Sequence, residues 1–357
     1  MRVRLEEVCK RIYAGGDVPK ERYSEVMTEE YYVPIYANAE KDNGLYGYTD
    51  KAREEELSIT VAARGTIGFT AIRREPFFPV VRLITVVPDT EKVSERYLYY
   101  VLKNCKPQSS GTSIPQLTVP DIKKNSLELY PILKQESIAN QLDKVNRVIE
   151  LRKQELNSLD CIIKARFVEM FGEPQDNPFG WDKMPLSNVI LNANNGMARR
   201  GNDENGNIVM RLVELQDGYI DYSNPNRIVL KGNEKTRYLL RDKDFLFARV
   251  NGNPDNVGRC AVFEDIGEDV YHNDHIIRVH FNELLLDGTF ASVLLNSDYG
   301  KRQLKGQIKT SAGQYTVSQD GIGAIVTILP PISLQKEFAN FVNQVDKSKV
   351  IKLKNES

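Results

Sequence analysis

The chain has 357 residues, of which 41% are hydrophobic and 27% charged, which excludes a disordered, collagenous or membrane-spanning protein. At about 150 residues per domain, this length predicts two domains or slightly more. The 48 Lys and Arg residues nearly balance the 49 Asp and Glu residues, so the total charge gives no sign of a strongly basic nucleic-acid-binding domain.

The cysteines and the N-terminus favour an intracellular protein. Cys9, Cys105, Cys161 and Cys260 lie far apart and form no C-x-x-C pair, so neither a zinc ribbon nor a disulfide framework is indicated. The N-terminus lacks the apolar core of a signal peptide, and no run approaches the eighteen or so apolar residues of a membrane span. We therefore expect a soluble protein of the reducing cytoplasm.

The first third of the chain predicts a mixture of strands and helices. Apolar, β-branched runs bounded by turn residues predict strands at residues 59–63, 80–87 and 127–130. A helical segment is expected at residues 95–103. The fold class that follows from this mixture is α+β.

A long helix is predicted from about residue 134 to residue 170. Large side chains recur at alternating steps of four and three, as in a heptad seam: Ile138, Leu142, Val145, Ile149, Arg152, Leu156, Leu159, Ile163, Arg166 and Met170. At 1.5 Å per residue, a helix of this length spans about 55 Å. That is longer than a globular domain needs internally.

The rest of the chain repeats this plan. Strands are predicted at residues 276–281 and 325–329, and a helix at residues 289–304. A second seam follows at Phe338, Val342, Val345, Lys349 and Leu353. Residues 131–140 and 331–340 are identical at five of ten positions, and a looser match of residues 59–65 with residues 245–252 pairs Arg64 with Arg249.

The order is therefore globular unit, helix, globular unit, helix. Two helices with matching seams are able to pair side by side, and antiparallel pairing would place the two units at opposite ends of a rod. The alternative is that each helix packs only on its own domain.

Particular motifs in this repeat resemble the specificity (S) subunits of type I DNA restriction-modification systems. Pro330-Pro331-Ile332 with Gln335 and Phe338 is similar to the family's segment before each helix, and the first copy matches at Tyr130-Pro131-Ile132, Gln135 and Ile138. Residues 165–174, followed by Asn177-Pro178 and Gly180-Trp181, resemble the family's junction from the first helix to the second recognition domain. Two departures are Lys134 and Leu334, where the family has an acid, and the shorter second helix.

The resemblance implies two homologous α/β target-recognition domains, at residues 1–130 and 173–330, and two antiparallel coiled-coil-like spacer helices, at residues 131–172 and 331–357. It implies a non-catalytic subunit that recognises a bipartite, asymmetric target in double-stranded DNA. It also implies methyltransferase subunits, two of them, and restriction subunits as partners. S-adenosylmethionine, ATP and Mg²⁺ would be bound by those partners and not by this chain.

Candidate DNA contacts follow from the chemistry of phosphates and base edges, which lysine, arginine, amide and hydroxyl side chains recognise. In the second unit, residues 301–311 carry four positive charges, and no acid occurs from residue 299 to residue 319; the candidates are Lys301, Arg302, Lys305, Lys309, Thr310, Ser311 and Gln314. The first-unit candidates are Arg64, Arg73, Arg74, Thr112, Ser113 and Gln116, and further second-unit candidates are Arg199, Arg200 and Arg249. For residues 301–311 and for the pairs Arg73-Arg74 and Arg199-Arg200, an ordinary solvated surface is the alternative. For Arg64 and Arg249 the alternative is a role in the domain structure.

Catalytic signatures are weak. His272, His275 and His280 lack metal-ligand spacing, so a strand with its turn is favoured over a metal site. Asp89, Asp121 and Lys123 satisfy a loose nuclease pattern that is short enough to recur by chance. A stand-alone DNA-binding or coiled-coil adaptor, and a metal-dependent nuclease, remain the alternative functions.

Overall fold

The computed structural model describes residues 1–105, 116–311 and 313–354. It divides into two compact units, Met1–Arg152 (unit 1) and Lys153–Ser357 (unit 2). The division falls inside the long central helix, and the finer division into four segments stays a prediction. The predicted Thr112 and Ser113 lie outside the described residues.

Unit 1 is built from short strands, two short helices and the first part of the long helix. Its described elements are β1 (Arg2–Arg4), β2 (Cys9–Ala14), β3 (Val33–Tyr36), β4 (Leu45–Thr49), β5 (Ser58–Val61), β6 (Thr70–Arg73), β7 (Phe78–Pro79), β8 (Ile84–Pro88), α1 (Glu95–Lys103), α2 (Val119–Lys124), β9 (Ser126–Glu128) and α3 (Ile132–Phe171). The strands form sheets in the orders β2-β8-β5-β6, β4-β3-β7 and β1-β9.

The core of unit 1 lies between the four-stranded sheet and α1. Ile59 and Val86 from the sheet and Leu98 and Leu102 from α1 are fully buried in one cluster. The cluster residues occupy every second position along β5 and β8, and Leu98 and Leu102 lie one helical turn apart on α1. One face of each element is therefore apolar.

Unit 2 follows the same plan, and it has one small additional sheet for which the described residues of unit 1 show no counterpart. Its described elements are β10 (Asp182–Pro185), β11 (Ile190–Asn195), β12 (Asn207–Met210), β13 (Arg227–Ile228), α4 (Glu234–Arg237), β14 (Phe245–Ala248), β15 (Val250–Asn251), β16 (Cys260–Val262), β17 (Val270–His272), β18 (Ile276–Phe281), α5 (Gly288–Asn296), α6 (Asp298–Lys305), β19 (Lys309–Ser311), β20 (Gln314–Thr316), α7 (Gln319–Gly323), β21 (Val326–Leu329) and α8 (Ile332–Lys354). The order β11-β18-β14-β16 corresponds to β2-β8-β5-β6, and the additional sheet has the order β15-β20-β19. The predicted α+β class is confirmed.

Two predicted elements are wrong in their extent. The helix predicted at residues 289–304 is two helices, because Ser297 lies between them in an extended conformation and its hydroxyl caps α6. The strand predicted at residues 80–87 begins only at Ile84, because Val81 and Arg82 have positive φ angles.

A buried glutamine fastens each long helix to its own unit. The side-chain oxygen of Gln135 accepts a hydrogen bond from Ser94 N (2.9 Å), and its amide nitrogen donates to the carbonyl oxygens of Lys92 (3.0 Å) and Tyr130 (2.7 Å). Ser94 is the residue that caps α1. One amide therefore joins the start of α3 to the start of α1.

The same arrangement recurs in unit 2 at Gln335. Its oxygen accepts from Asp287 N (2.9 Å), and its nitrogen donates to the carbonyl oxygens of Leu285 (3.0 Å) and Pro330 (2.7 Å). Asp287 caps α5. Both glutamines are fully buried, so the repeat motif specifies a joint between helix and domain.

The junction motif after α3 has a structural role. Gly172 ends the helix with a φ of 73°, the left-handed conformation that glycine adopts without strain. The side chain of Asn177 bonds both the backbone N and the backbone O of Trp181 (2.9 and 2.8 Å), and the Trp181 indole donates to the Phe171 carbonyl oxygen (3.0 Å). The motif thus folds back onto the end of α3.

Within unit 2, the last part of α3 pairs with α8 in antiparallel orientation. Phe167 contacts Phe338 edge-on at 5.4 Å between ring centroids, and nearer the N-terminus of α3, Asp160 forms an ion pair of 2.7 Å with Lys349 of α8. Residue numbers fall along one helix as they rise along the other, so this part of the predicted antiparallel pairing is observed.

The buried seam differs from the predicted one near the end of α3. Phe167 and Phe171 are buried, whereas the predicted Arg166 forms ion pairs with Glu169 and Glu337 at the surface. Phenylalanine rings are much more favourable to bury than a guanidinium group. The register of the seam therefore shifts by one residue there.

The other predicted seam residues divide between the two units. Ile163, Phe338 and Val342 are buried in the core of unit 2, and Val345, Leu156 and Leu159 are half-buried. In unit 1, Ile138 packs against the core, while Leu142, Val145 and Ile149 are exposed. Across the described residues, no helix is both long and apolar enough to cross a membrane.

The glutamine joint predicts a large loss of stability on its removal. The change Gln335→Leu removes the fully buried amide and leaves the Asp287 N–H and two carbonyl groups without their partner, so we expect the free energy of unfolding of unit 2 to fall by about 3 kcal/mol. Urea unfolding followed by circular dichroism measures this change. Gln344→Leu, at an exposed position of the same helix, is the matched control. A loss below about 0.5 kcal/mol for Gln335→Leu would contradict the assigned role.

Candidate nucleic-acid interface

A tight turn between β7 and β8 lies beside the end of β2 in unit 1. Gly15 N donates to Leu83 O (2.8 Å), Val81 N donates to Gly16 O (2.8 Å), and Leu83 N donates to Val80 O (3.0 Å). A Cβ atom at Gly15 would lie 2.5 Å from Pro79 O, so only glycine permits this close approach.

Unit 2 contains the same backbone frame between β17 and β18. Asp274 N donates to Met197 O (3.0 Å), Ile276 N donates to Asn273 O (3.0 Å), and Gly196 N donates to Ile276 O (3.4 Å). A Cβ atom at Gly196 would lie 2.3 Å from Asn273 O. The residues at the tips of the two turns, Val81-Arg82 and Asp274-His275, are therefore equivalent.

The tip in unit 1 is strained. Val81 and Arg82 have φ angles of 51° and 62°, a conformation that costs a residue other than glycine about 1–2 kcal/mol. The Asn38 side-chain nitrogen donates to Val81 O, while its oxygen accepts from Ala63 N (2.8 Å). Strain of this kind persists where surrounding contacts hold it, and it concentrates at functional sites.

The strained tip borders an open cleft of about 970 Å³. The cleft is lined by residues 15–22, Asn38, Ala63, Arg64, Val81, Arg82 and Gln116. Two of the predicted DNA contacts, Arg64 and Gln116, therefore lie in the same cleft. Arg82 was not among the predicted DNA contacts because residues 80–87 were predicted to form a strand. Lys20 was not among them because no local charge pattern marks that position.

Cations outnumber acids along this cleft. Lys20, Arg22, Arg64 and Arg82 line it together with Asp17 and Glu21. Arg22 is paired with Asp50, whereas the side chains of Lys20, Arg64 and Arg82 have no hydrogen-bond or ion-pair partner among the described residues. Three cations are thus available to a polyanion.

The other unit 1 arginine candidates are placed differently. Arg73 is only 3% exposed; its guanidinium lies 3.5 Å from the centroid of the Tyr36 ring and donates to Thr60 Oγ1 (3.1 Å) and Asn43 O (2.7 Å). These contacts make Arg73 part of the domain structure, so it is not accessible to DNA in this conformation. Arg74 is exposed and forms an ion pair of 3.0 Å with Glu95.

The strand register corrects the pairing of Arg64 with Arg249. Leu117 N donates to Ala63 O, and Val317 N donates to Arg249 O, both at 2.9 Å. Arg249 is therefore equivalent to Ala63, one residue before Arg64. The two arginines extend from different points of the repeated frame.

In unit 2, charged side chains surround the equivalent turn. Arg200 Nη2 lies 2.6 Å from Asp274 Oδ1 and 3.1 Å from His275 Nε2, and Arg249 Nη1 donates to the Asp274 carbonyl oxygen (3.1 Å). Arg199 is paired instead with Glu234 at 2.6 Å. Arg200 and Arg249 thus converge on the turn, and Arg199 does not.

The basic segment at residues 301–311 is partly neutralised. Lys301 pairs with Asp217 (2.7 Å) and Lys305 with Asp255 (3.1 Å). Both pairs are exposed, and such pairs contribute less than about 1 kcal/mol, so an incoming phosphate is able to replace the carboxylate. Arg302 is exposed and has no such partner within the described ranges.

The small additional sheet of unit 2 presents the remaining candidates. Lys309 and Thr310 lie on β19 and Gln314 lies on β20, all exposed; Ser311 also belongs to β19. β20 pairs with β15, which follows Arg249 directly. The sheet therefore extends the surface that contains Arg249.

The histidines and the weak nuclease pattern do not form a metal site. Among the described residues, no group of three or more histidine, cysteine or acidic side chains is able to hold a metal ion. His272 is buried, and His280 Nδ1 lies 3.1 Å from the buried Asp244. Asp121 caps α2 through Thr118, and Asp89 is paired with Lys92.

Comparison with known proteins relates the sequence to one family. Residues 1–160 match the family described as "Type I restriction modification DNA specificity domain". The specificity subunit of the type I restriction enzyme StySPI from Salmonella potsdam is 24% identical over 351 residues, covering 89% of this chain and 76% of that protein. The C-terminal part of a putative type I specificity subunit from Mycoplasma pneumoniae is 36% identical over 121 residues, covering 31% of this chain and 83% of that sequence.

A solved structure shares the fold. The crystal structure of the S subunit of a type I restriction-modification system from M. genitalium matches with a TM-score of 0.54 at 16% identity, covering 99% of this chain and 91% of that one.

The buried His272 next to the unit 2 turn predicts a pH effect on stability. Its Nδ1 atom lies 3.1 Å from Tyr238 O, and burial lowers the pKa of the imidazole to about 4. In the unfolded protein His272 has a pKa near 6.5 and becomes protonated below that pH, whereas in the folded protein it stays neutral down to about pH 4. Protonation therefore favours the unfolded state, and stability falls as the pH drops below about 6.5. The contribution is about 2 kcal/mol at pH 5.

The variant His272→Asn tests this effect, because asparagine keeps a donor for Tyr238 O and does not titrate. Urea unfolding of both proteins at pH 7.5 and pH 5 should show that the wild-type protein loses about 2 kcal/mol more than the variant. Equal losses in the two proteins would show that the folded histidine is protonated near pH 6.5.

Proposed function

Because the chain belongs to the family of type I restriction-modification specificity subunits, we propose that its two units recognise two different elements of one DNA target. The observation that supports this proposal is the turn frame, which recurs in both units with different residues at its tip. A common frame gives both units the same way to approach a duplex. Different side chains at the tip give them different base preferences.

The DNA-facing surface of unit 1 is proposed to be the cleft beside the strained turn. Arg64 and Lys20 are placed to contact phosphates, which position a protein on the duplex without reading sequence. Gln116 has an amide of the kind that bonds base edges. Arg74, paired with Glu95, is a weaker candidate.

In unit 2 the proposed surface joins the turn to the additional sheet. Arg200, Arg249, Lys309, Thr310 and Gln314 belong to it; Arg302, Lys301, Lys305 and Ser311 extend it toward α6. The acids paired with Lys301 and Lys305 would be displaced by phosphate. A protein with a net charge of −1 is able to bind DNA in this way, because the local groups of basic side chains at the two proposed surfaces, and not the total charge, attract the phosphates.

The helices are proposed to bind the protein partners. Leu142, Val145 and Ile149 form an exposed apolar row on α3, which is unusual for a surface helix that binds nothing. Methyltransferase subunits, two in number as the family resemblance implies, fit such a row; restriction subunits would join the same complex.

Catalysis is proposed to take place on those partners, in the cytoplasm. S-adenosylmethionine, ATP and Mg²⁺ would be bound there. The carboxylates of the weak nuclease pattern in this chain serve as a helix cap and an ion-pair partner, so a nuclease is not favoured. A stand-alone adaptor is not favoured either, because the chain belongs to the family of specificity subunits.

A domain exchange tests whether each unit recognises its own half of the DNA target. Residues 1–147 are replaced by the corresponding segment of another specificity subunit, because Gln135, Asp143 and Asn146 all bond to the domain in front of them. The chimera is expressed with its methyltransferase partner, and methylated sites are mapped by sequencing. We expect one half of the target to change and the other half to be retained. A change in both halves would contradict independent recognition by the two units.

A further inference from the structure

We infer that the tips of the two equivalent turns are specificity-determining elements, with Arg82 reading a base edge in one half of the target and His275 reading a base edge in the other. This inference rests on the proposed function and goes beyond it by assigning base recognition to particular residues. It concerns one short turn in each unit.

The two units share the turn frame and differ at the tips. In each unit, a glycine at the end of one strand, the residue after it and the turn make three equivalent backbone hydrogen bonds. Side chains at the tip contribute nothing to that frame. A position that is structurally fixed but chemically free is well suited to distinguish one target element from another.

The backbone of the unit 1 tip is held rigidly, while the side chain of its arginine has no partner among the described residues. Gly16 and Asn38 fix the backbone of Val81, and both Val81 and Arg82 remain in the left-handed conformation. The exposed guanidinium of Arg82 has no partner among the residues described. Because the backbone of the turn is already fixed, binding costs only the rotamer freedom of the arginine side chain, whose guanidinium presents a flat pair of donors that matches guanine O6 and N7.

The carboxylate at the unit 2 tip distinguishes base recognition from phosphate contact. In unit 2 the residue equivalent to Val81 is Asp274, a carboxylate held by Arg200 at 2.6 Å. A carboxylate at a phosphate-contacting tip would repel the DNA backbone, whereas in a groove it is able to accept a hydrogen bond from cytosine N4. The shared role that suits both tips is therefore contact with bases.

Other residues are available for the phosphates. Arg64 and Lys20 line the unit 1 cleft beside Arg82, and Arg249 approaches the unit 2 turn from the backbone side. The tips themselves need not supply the electrostatic part of binding.

The test maps methylation by the chain in complex with its methyltransferase partner. The variants are Arg82→Lys, Arg82→Gln and His275→Gln, with Arg64→Lys and Arg64→Gln as matched controls in the same cleft. Lysine keeps the charge that a phosphate needs but loses the two-donor geometry that guanine needs. Thermal unfolding verifies that each variant is folded.

For Arg82→Lys and Arg82→Gln alike, we expect discrimination at one base of one half-site to fall by about 5- to 150-fold. His275→Gln should relax one position in the other half-site. Arg64→Gln should weaken methylation of all sites uniformly, and Arg64→Lys should weaken it less, with the methylated motif unchanged in both variants.

The inference is overturned if Arg82→Lys keeps wild-type specificity while Arg82→Gln weakens every site equally, since that result identifies a phosphate contact. It is also overturned if neither variant alters the methylated motif, or if the Arg82 and His275 variants relax the same half-site. A wild-type complex that methylates no two-part motif would refute the proposed function itself, and this inference with it. Only the earlier outcomes refute the inference alone.

Discussion

The arrangement of each unit depends on one buried amide at the start of its long helix. Gln135 and Gln335 each bond a helix cap in the domain and two carbonyl groups around it. An unpaired polar group in such a buried position is costly, so the three bonds select one arrangement of helix and domain. The joint therefore fixes the start of the helix relative to the domain of its own unit. The proposed recognition of two separate DNA elements needs that rigidity.

Around this joint the two units differ in how they hold their helices. In unit 1 the contact is polar: Arg96 pairs with Glu136, and Tyr100 bonds Asp143 at 2.5 Å. In unit 2 it is aromatic: Phe338 of α8 contacts Phe167 and Phe171 edge-on at 5.4 Å, and Phe290 of α5 stacks on Phe167 at 5.5 Å. The repeat thus preserves the glutamine joint and the turn frame while the packing between them changes. What the two copies share is geometry, and what distinguishes them is side-chain chemistry.

The sequence predicted the repeat, the α+β class and the long helices, because heptad spacing and the 131–140/331–340 match are local patterns. It did not predict the turn at Val81 and Arg82, since β-branched residues strongly favour strands and only contacts distant in sequence, from Gly16 and Asn38, overcome that preference. The burial of Arg73 and the ion pairs of Lys301 and Lys305 could not be predicted either, because they also depend on contacts between residues distant in sequence. Arg64 and Gln116 were predicted as separate DNA contacts, and only the tertiary structure shows that both line one cleft.

We propose that the turn frame, present once in each unit with different residues at its tip, gives the protein a single asymmetric DNA target. The most direct measurement is the methylome of a host strain that carries the wild-type chain and its methyltransferase partner and is otherwise free of DNA methylation. We expect a single methylated DNA motif that consists of two different short elements separated by a gap of fixed length. A continuous motif, or two identical inverted elements, would contradict it.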